Sequence, residues 1–296
     1  MGKPSFDVIE YFTDKEKNAK DFLDRKKAID KLREIIKGDI LSIEINADKL
    51  YIVLQDGRRY NWRMNSIEDN NFTVLTHTGV YEKEAHNILK KLIKDKATIL
   101  DIGANKGWYS VIFAKVANDG VVYAIEPTTS AFEELEENVK INNLTNVVTC
   151  KVAFSNYSGK GRMTIPFDHS ALAYLELQSN DENRNEVNVM TLDDFVREKE
   201  ISSVDLIKID AEGSEYNIIM GAKELLTSHN APIIFIEAFD NCLLRYGKNT
   251  GDLIRVLTQY GYYVYNVETL EEYTNKCVDG LDTDLLCTKK RLEDIK

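Results

Sequence analysis

The hydrophobic positions change period along the chain, and the changes mark its elements. Over residues 7–37 charged residues dominate, while Phe22, Ile29, Leu32 and Ile36 recur at close to helical spacing. Lys37-Gly38-Asp39 stops that pattern. "LSIEINADKLYIVLQDGRRYNWRM" then alternates apolar and polar residues, with turns at Asn46-Ala47-Asp48 and Asp56-Gly57, which predicts a short antiparallel meander. Tyr51, Tyr60 and Trp62 are expected to pack the meander's own small core, although such rings also suit stacking on a sugar.

From Tyr81 the texture changes. "YEKEAHNILKKLIK" places Ala85, Leu89, Leu92 and Ile93 on one helical face. The strand "TILDI" follows, then a glycine turn, a helix from Trp108 to Ala117 and the apolar run "GVVYAIEP". "SAFEELEENVKINN" predicts a helix opened by a Ser130/Glu133 capping box, and "NVVTCKVAF" a further strand. Residues 155–186 break the rhythm, and their polar tract "QSNDENRNE" is expected to be a mobile loop. "VNVM", the helix "LDDFVREKE", the strand "VDLIKID", the helix "SEYNIIMGAKELL", the strand "PIIFIE" and the helix "GDLIRVLTQYG" restore it. "YYVYNVE" and "DTDLLCTKK" read as a final strand pair. Such alternation, without internal repeats, predicts a doubly wound, mostly parallel α/β sheet with helices on both faces. The expected division is an N-terminal α+β extension over residues 1–78 and the α/β domain over residues 79–296, with the boundary near Thr78-Gly79.

Composition narrows the function. The net charge of −11 over 296 residues argues against a general nucleic-acid binder. No run approaches the length of a membrane span, and the first residues contain no apolar signal-peptide core. Met1-Gly2 invites myristoylation, but Phe6 stands where Ser or Thr is needed. Cys150, Cys242, Cys277 and Cys287 lack metal spacing and read as thiols of a reducing compartment, so a cytoplasmic protein is expected.

In doubly wound sheets ligands sit beyond the carboxyl ends of the strands. The first strand–helix turn is Asp101-Ile102-Gly103-Ala104-Asn105-Lys106-Gly107, or G-x-N-x-G in place of the dinucleotide pattern G-x-G-x-x-G. An acid two residues before the first glycine repels a pyrophosphate but suits an ammonium, such as the one on S-adenosylmethionine. Glu126 ends the next strand, where a carboxylate accepts ribose hydroxyls. The competing structural explanation is that Asp101 caps the turn and that Gly103 and Gly107 permit close packing. Together the turn and Glu126 favour an adenosyl cofactor over NAD.

A second constellation lies in "LIKIDAEGSEY". Lys208 and Asp210 are two apart in a strand that should be wholly apolar, and burying either alone costs several kcal/mol. Glu212 follows on the turn and Glu237 ends the neighbouring strand, which surrounds one lysine with carboxylates. A structural ion pair from Lys208 to Asp210 or Glu237 is the plainer alternative; Glu215 reads as a helix-face residue. A carboxylate, a lysine of lowered pKa or, less readily, His169 would serve as a general base. Asp210 and Glu237 would suffice for Mg²⁺ with water completing the octahedron, but the ligand pattern is too sparse to assert a metal.

The blocks "GVYEKEAHNILKKLI", "TILDIGANKGWYS", "VVYAIEP", "VAFSNYSGKGRM", "VNVMTLDDF", "VDLIKIDAEGSEYNIIMGA" and "PIIFIE" resemble, in order and spacing, the FkbM family of S-adenosylmethionine-dependent methyltransferases, over roughly residues 79–289. The resemblance implies the Rossmann-like, seven-stranded class I methyltransferase sheet and methyl transfer to hydroxyls of sugars, glycans or natural products. It implies that Asp101, Gly103, Asn105 and Gly107 line the methionine end of the cofactor. Glu126 would hold the ribose, Ala153 and Phe154 would flank the adenine, and Tyr81 and Glu82 would close over the cofactor. No [DN]-P-P-[FY] tetrad is present, which favours oxygen as acceptor. The rivals are an RNA or protein methyltransferase on the same fold, a nicotinamide-dependent oxidoreductase, and a non-catalytic interaction protein. The N-terminal block is left with three open roles: acceptor binding, homodimer formation or a lid.

Overall fold

The computed structural model describes residues 23–24, 26–27, 29–31, 33–45, 49–61, 74–75, 77–166, 170–176, 185–274 and 280–294. The N-terminal helical pattern appears as helical backbone within residues 23–35, with Leu23, Ile29 and Ile36 exposed. Three strands follow, β1 (Ile40–Ile45), β2 (Leu50–Leu54) and β3 (Arg59–Asn61), paired antiparallel in the order expected of the meander. Gly57, at φ 80°, makes the second turn; the first lies outside the described residues.

The predicted amphipathic helix is α1 (Lys83–Leu92), with Ala85, Leu89 and Ile93 buried. Next come β4 (Thr98–Ile102), α2 (Trp108–Val116), β5 (Val121–Ile125), α3 (Thr129–Ile141) and β6 (Val147–Cys150). The later part supplies α4 (Leu192–Glu198), β11 (Leu206–Ile209), α5 (Glu215–Met220), α6 (Lys223–Thr227), β12 (Ile233–Phe239), α7 (Asp240–Leu243), α8 (Thr250–Gln259), β13 (Tyr263–Asn266) and β14 (Asp282–Thr288). The seven-stranded sheet runs β13-β14-β12-β11-β4-β5-β6, parallel except for β14, which is antiparallel to both neighbours. One face packs on α4, α5 and α8 through Phe195, Ile218, Ile219, Leu253 and Leu257. The other packs on α1, α2 and the meander through Leu89, Ile112, Phe113, Ile52 and Tyr60.

Four local expectations change. "NVVTCKVAF" is two strands, because β7 (Ala153–Phe154) leaves the main sheet for a smaller one, ordered β7-β10-β8-β9. The break at residues 155–186 accordingly contains β8 (Gly159–Thr164) and β9 (Tyr174–Leu175), and β10 (Glu186–Met190) joins them; the described residues omit 177–184 of the polar tract. "SEYNIIMGAKELL" breaks into α5 and α6 at Gly221, where a Cβ would approach the Ser155 carbonyl to 2.2 Å. The helix start at Ser130 shifts to an N-cap at Thr128, whose hydroxyl donates to Glu126 instead of capping α3. Among the described residues no helix is long and apolar enough to cross a membrane.

Gly103 fixes how closely the ends of β4 and β11 approach. It sits at φ 75°, and a Cβ there would lie 1.7 Å from the Asp210 carbonyl oxygen. Backbone cannot yield as a flexible side chain does, so Gly103→Ala is expected to cost at least about 2 kcal/mol from strain and steric overlap combined. Urea denaturation checks this: an unchanged midpoint contradicts the close approach.

Candidate active site

The carboxyl ends of β4, β5, β11 and β12 open onto one cavity of about 440 Å³. Tyr81, Glu82, Asp101, Gly103, Asn105, Glu126, Ala153 and Phe154 all line it, as do Lys208, Asp210, Glu212 and Glu237. Two sets of residues singled out for different chemistry thus share one space. Gly107 stands apart from the lining: it is the left-handed N-cap of α2, where a Cβ would meet Leu135 at 2.6 Å. His169 and Trp62 lie outside the described residues.

The carboxyl end of β4 buries Asp101 completely. The Ser110 hydroxyl donates to its Oδ2, while Oδ1 is buried with no hydrogen-bond partner. Burial raises its pKa, opposed by Lys208 and Ser110. Glu126 is held from two sides: Oε1 accepts from the Thr128 N–H at 2.8 Å and from its hydroxyl, and Oε2 accepts from the Asn105 N–H at 3.0 Å. Burial outweighs these donors and pushes Glu126 up to about 7.

Lys208 stands beside Asp101 in the β4–β11 register and is 4% exposed. It donates to Asp210 at 3.0 Å and lies 4.8 Å from the Tyr109 ring centroid. Burial disfavours its charge, yet the Asp210 and Asp101 carboxylates prevail and raise its pKa above the ordinary value. The expectation of a lysine of lowered pKa therefore fails: the surrounding carboxylates hold Lys208 as an ammonium. Glu237 moves the other way, pushed up to about 11 by burial and by Asp210, so it carries a proton at neutral pH. Glu212 rises to about 7 for the same two reasons and accepts a bond from the Cys242 thiol at 3.4 Å. Oxygens of Asp210, Glu212 and Glu237 lie within 4.8 Å of one another, a spacing that a divalent ion can bridge.

Glu215 is not a helix-face residue. It is buried, accepts from the Ala211 and Gly213 N–H groups at 2.9 and 3.1 Å, and so holds the turn that carries Glu212. Backbone strain gathers here too. Of the seven non-glycine residues with positive φ among the described residues, Glu82, Asn105 and Glu212 line the cavity, at 45°, 47° and 50°. Such conformers cost roughly 1–2 kcal/mol each and persist only where surrounding contacts dictate them.

Several residues in or beside the cavity escaped the sequence reading. Trp108 is caged: its indole N–H donates to His86 Nε2 at 2.9 Å, Tyr60 stacks at 4.5 Å, and Tyr81 meets it edge-on at 5.3 Å. Tyr60 therefore does not serve the meander's core alone but also braces a cavity wall. The stacked pair contributes about 0.5–1.5 kcal/mol beyond its buried area. Asp284 sits opposite Glu237 in the β12–β14 register and is raised to about 7 by burial and by Glu82. Tyr109 lines the cavity and donates to Glu82. Aromatic residues at the start of α2 were the available signal for Trp108 and Tyr109; Asp284 had none, since only sheet order brings it here.

A reversed strand inserted at one edge of a parallel sheet, with acids at the carboxyl ends of its first two parallel strands, defines the class I methyltransferase fold. More narrowly, the chain belongs to the FkbM methyltransferase family, whose domain ("Methyltransferase FkbM domain") matches residues 101–264. A hexuronic acid methyltransferase of Haloferax volcanii is 27% identical over 158 residues, 53% of this chain and 63% of that protein. A 2-O-methyltransferase of Sinorhizobium fredii is 27% identical over 164 residues, 49% of this chain and 65% of that one. The match thus spans just under two thirds of each of these curated relatives. The crystal structure of methyltransferase FkbM from Methylobacillus flagellatus is similar at 18% identity and TM-score 0.44, covering 66% of this chain and 44% of that one.

Glu126, Glu212 and Glu215 rise from 4.5 to about 7, and Asp284 from 3.8 to about 7, with burial the largest cause in each. The folded state then holds more protons than the unfolded state between those values, so stability is greatest below the window and falls as pH rises through about 7. Melting temperature should decline from pH 5 to pH 8, and Glu212→Gln should make the decline shallower. A melting temperature that climbs across that window contradicts the burial of these acids.

Proposed function

We propose that the protein is an S-adenosylmethionine-dependent O-methyltransferase acting on a hydroxyl of a sugar, glycan or natural product. One observation carries the reading: Asp101 and Glu126, suited to an ammonium and a ribose, share a cavity with Lys208, Asp210, Glu212 and Glu237. The residues fit the cofactor. An ammonium's N–H donors complement the unpartnered, buried Asp101 Oδ1. Glu126 keeps lone pairs for ribose hydroxyls, and the apolar walls at Ala153 and Phe154 suit an adenine. Tyr81 and Glu82, which line the same cavity, would close over the cofactor. The names of the two sugar-related relatives support the acceptor class, and family membership favours methyl transfer over the nicotinamide alternative.

S-adenosylmethionine supplies a methyl group on a sulfonium, electrophilic enough for direct displacement by oxygen. The chain's task is to align the acceptor hydroxyl and take its proton. Lys208, fixed as a cation, cannot be the base; it anchors Asp210 and offsets the negative charge around it. Glu237, protonated, donates a hydrogen bond to the acceptor. Glu212, with its pKa raised to about 7, accepts the proton.

Two variants separate binding from proton transfer. Glu126→Ala should weaken S-adenosylmethionine binding at least about tenfold, because charged hydrogen bonds to the ribose are lost. Glu212→Gln should bind the cofactor within about twofold of wild type, yet lose roughly 10²–10⁴ in the rate of radiolabelled methyl transfer to a saccharide panel. Wild-type cofactor affinity in Glu126→Ala removes that residue from the site; a wild-type rate in Glu212→Gln removes the base.

A further inference from the structure

The methyl-transfer reading leaves the acceptor's own binding surface unassigned. Among the described residues, two of the large apolar side chains that stay exposed line the cavity: Phe239, 37% exposed, and Leu172, 38% exposed. They come from two separate segments. Phe239 ends β12, and Leu172 ends a short helical turn (Ser170–Leu172) before β9 of the smaller sheet. We propose that these two side chains form the acceptor platform, and that it takes the apolar face of an uncharged pyranoside ring.

Phe239 lies two residues beyond Glu237 on one strand, so both side chains leave the same face, about 7 Å apart. That offset sets a single sugar ring on the phenyl group with one hydroxyl edge at Glu237 and Glu212. The aromatic ring supplies contact area, and the carboxyl groups fix orientation, the usual division in small-molecule sites. The backbone beyond Phe239 is fixed without burying the ring. Asp240 accepts from the Thr250 N–H at 2.7 Å, from the Thr250 hydroxyl and from the Gly280 N–H at 2.8 Å. The two segments are also tied together. Tyr246 donates to the Leu175 carbonyl, and the Arg245 guanidinium, which stacks 3.8 Å from the Tyr174 ring centroid, donates to the Glu212 carbonyl at 2.8 Å. Gly213 lets the Glu212 turn pack against α7, since a Cβ there would lie 2.3 Å from the Cys242 carbonyl oxygen. Lys208, the ammonium at the deep end, already donates to Asp210 at 3.0 Å and stands beside Asp101 in register, so it is held by carboxylates rather than open to an anion. A phosphate or carboxylate on the reacting edge would meet repulsion there, whereas neutral hydroxyls would be bonded.

The inference rests on the methyl-transfer reading, and its test separates the two. Full-length protein saturated with S-adenosylhomocysteine is examined by saturation-transfer NMR against methyl hexopyranosides, methyl glucuronide and uridine. Ring protons of a neutral hexopyranoside should receive saturation in the wild type. Phe239→Ala should reduce that transfer at least fivefold, and Phe239→Tyr should retain it. The S-adenosylhomocysteine titration should stay within twofold in both variants. Equal transfer in Phe239→Ala, or transfer confined to uridine or to the glucuronide, overturns the platform while leaving methyl transfer intact. If S-adenosylhomocysteine does not bind the wild type, the methyl-transfer reading falls and the platform with it.

Discussion

One buried ammonium governs the centre of this molecule. Lys208 sits in the middle of a parallel sheet, where an unpaired charge would cost several kcal/mol. It is sustained by Asp210 at 3.0 Å, by Asp101 beside it in register and by the Tyr109 ring. The dependence is mutual. Without the lysine, Asp101 and Asp210 would be carboxylates facing each other across two neighbouring strands, with Glu237 and Asp284 close behind. The carboxylates hold Lys208 charged, and their crowding forces a proton onto Glu237. A fixed cation, a protonated acid and an acid poised near 7 thus emerge from one cluster, because burial and neighbours push their pKa values apart.

The backbone has been shaped to seat this cluster. Gly103 lets the end of β4 approach the Asp210 carbonyl, and Glu215 holds the Ala211–Gly213 turn through two N–H groups. The left-handed residues Glu82, Asn105 and Glu212 belong to three separate segments yet line the same cavity. Strain concentrated in this way is what a site needs when its polar groups must be oriented before any ligand arrives. The N-terminal meander participates in this arrangement. Through Tyr60, which also donates to the Trp108 carbonyl at 3.1 Å, it braces the Trp108 wall of the cavity.

The fold was readable in the sequence because period is a local property. Apolar runs and amphipathic stretches from Thr98 onward gave the seven main strands and the helices between them. The smaller sheet was not readable: β7 and β9 are two residues each, too short to show alternation, and β10 pairs with chain some thirty residues earlier. The cavity acids were visible because Lys208, Asp210 and Glu237 interrupt runs that burial should keep apolar. Their protonation states were not, since a lysine among carboxylates and a lysine in an apolar pocket look alike until distances are known. Asp284 and Trp108 act through contacts that only tertiary packing creates, whereas Glu215 bonds the N–H groups of its own turn, which an acid at a helix start does not reveal by spacing alone.

The central claim is that this charged cavity receives an adenosyl sulfonium donor. Calorimetric titration of the full-length protein with S-adenosylmethionine, S-adenosylhomocysteine and NAD, with and without Mg²⁺, tests it most directly. The account predicts dissociation constants on the order of micromolar for both adenosyl compounds and no heat from NAD. Binding of NAD, or the absence of adenosyl binding under every condition, would contradict it.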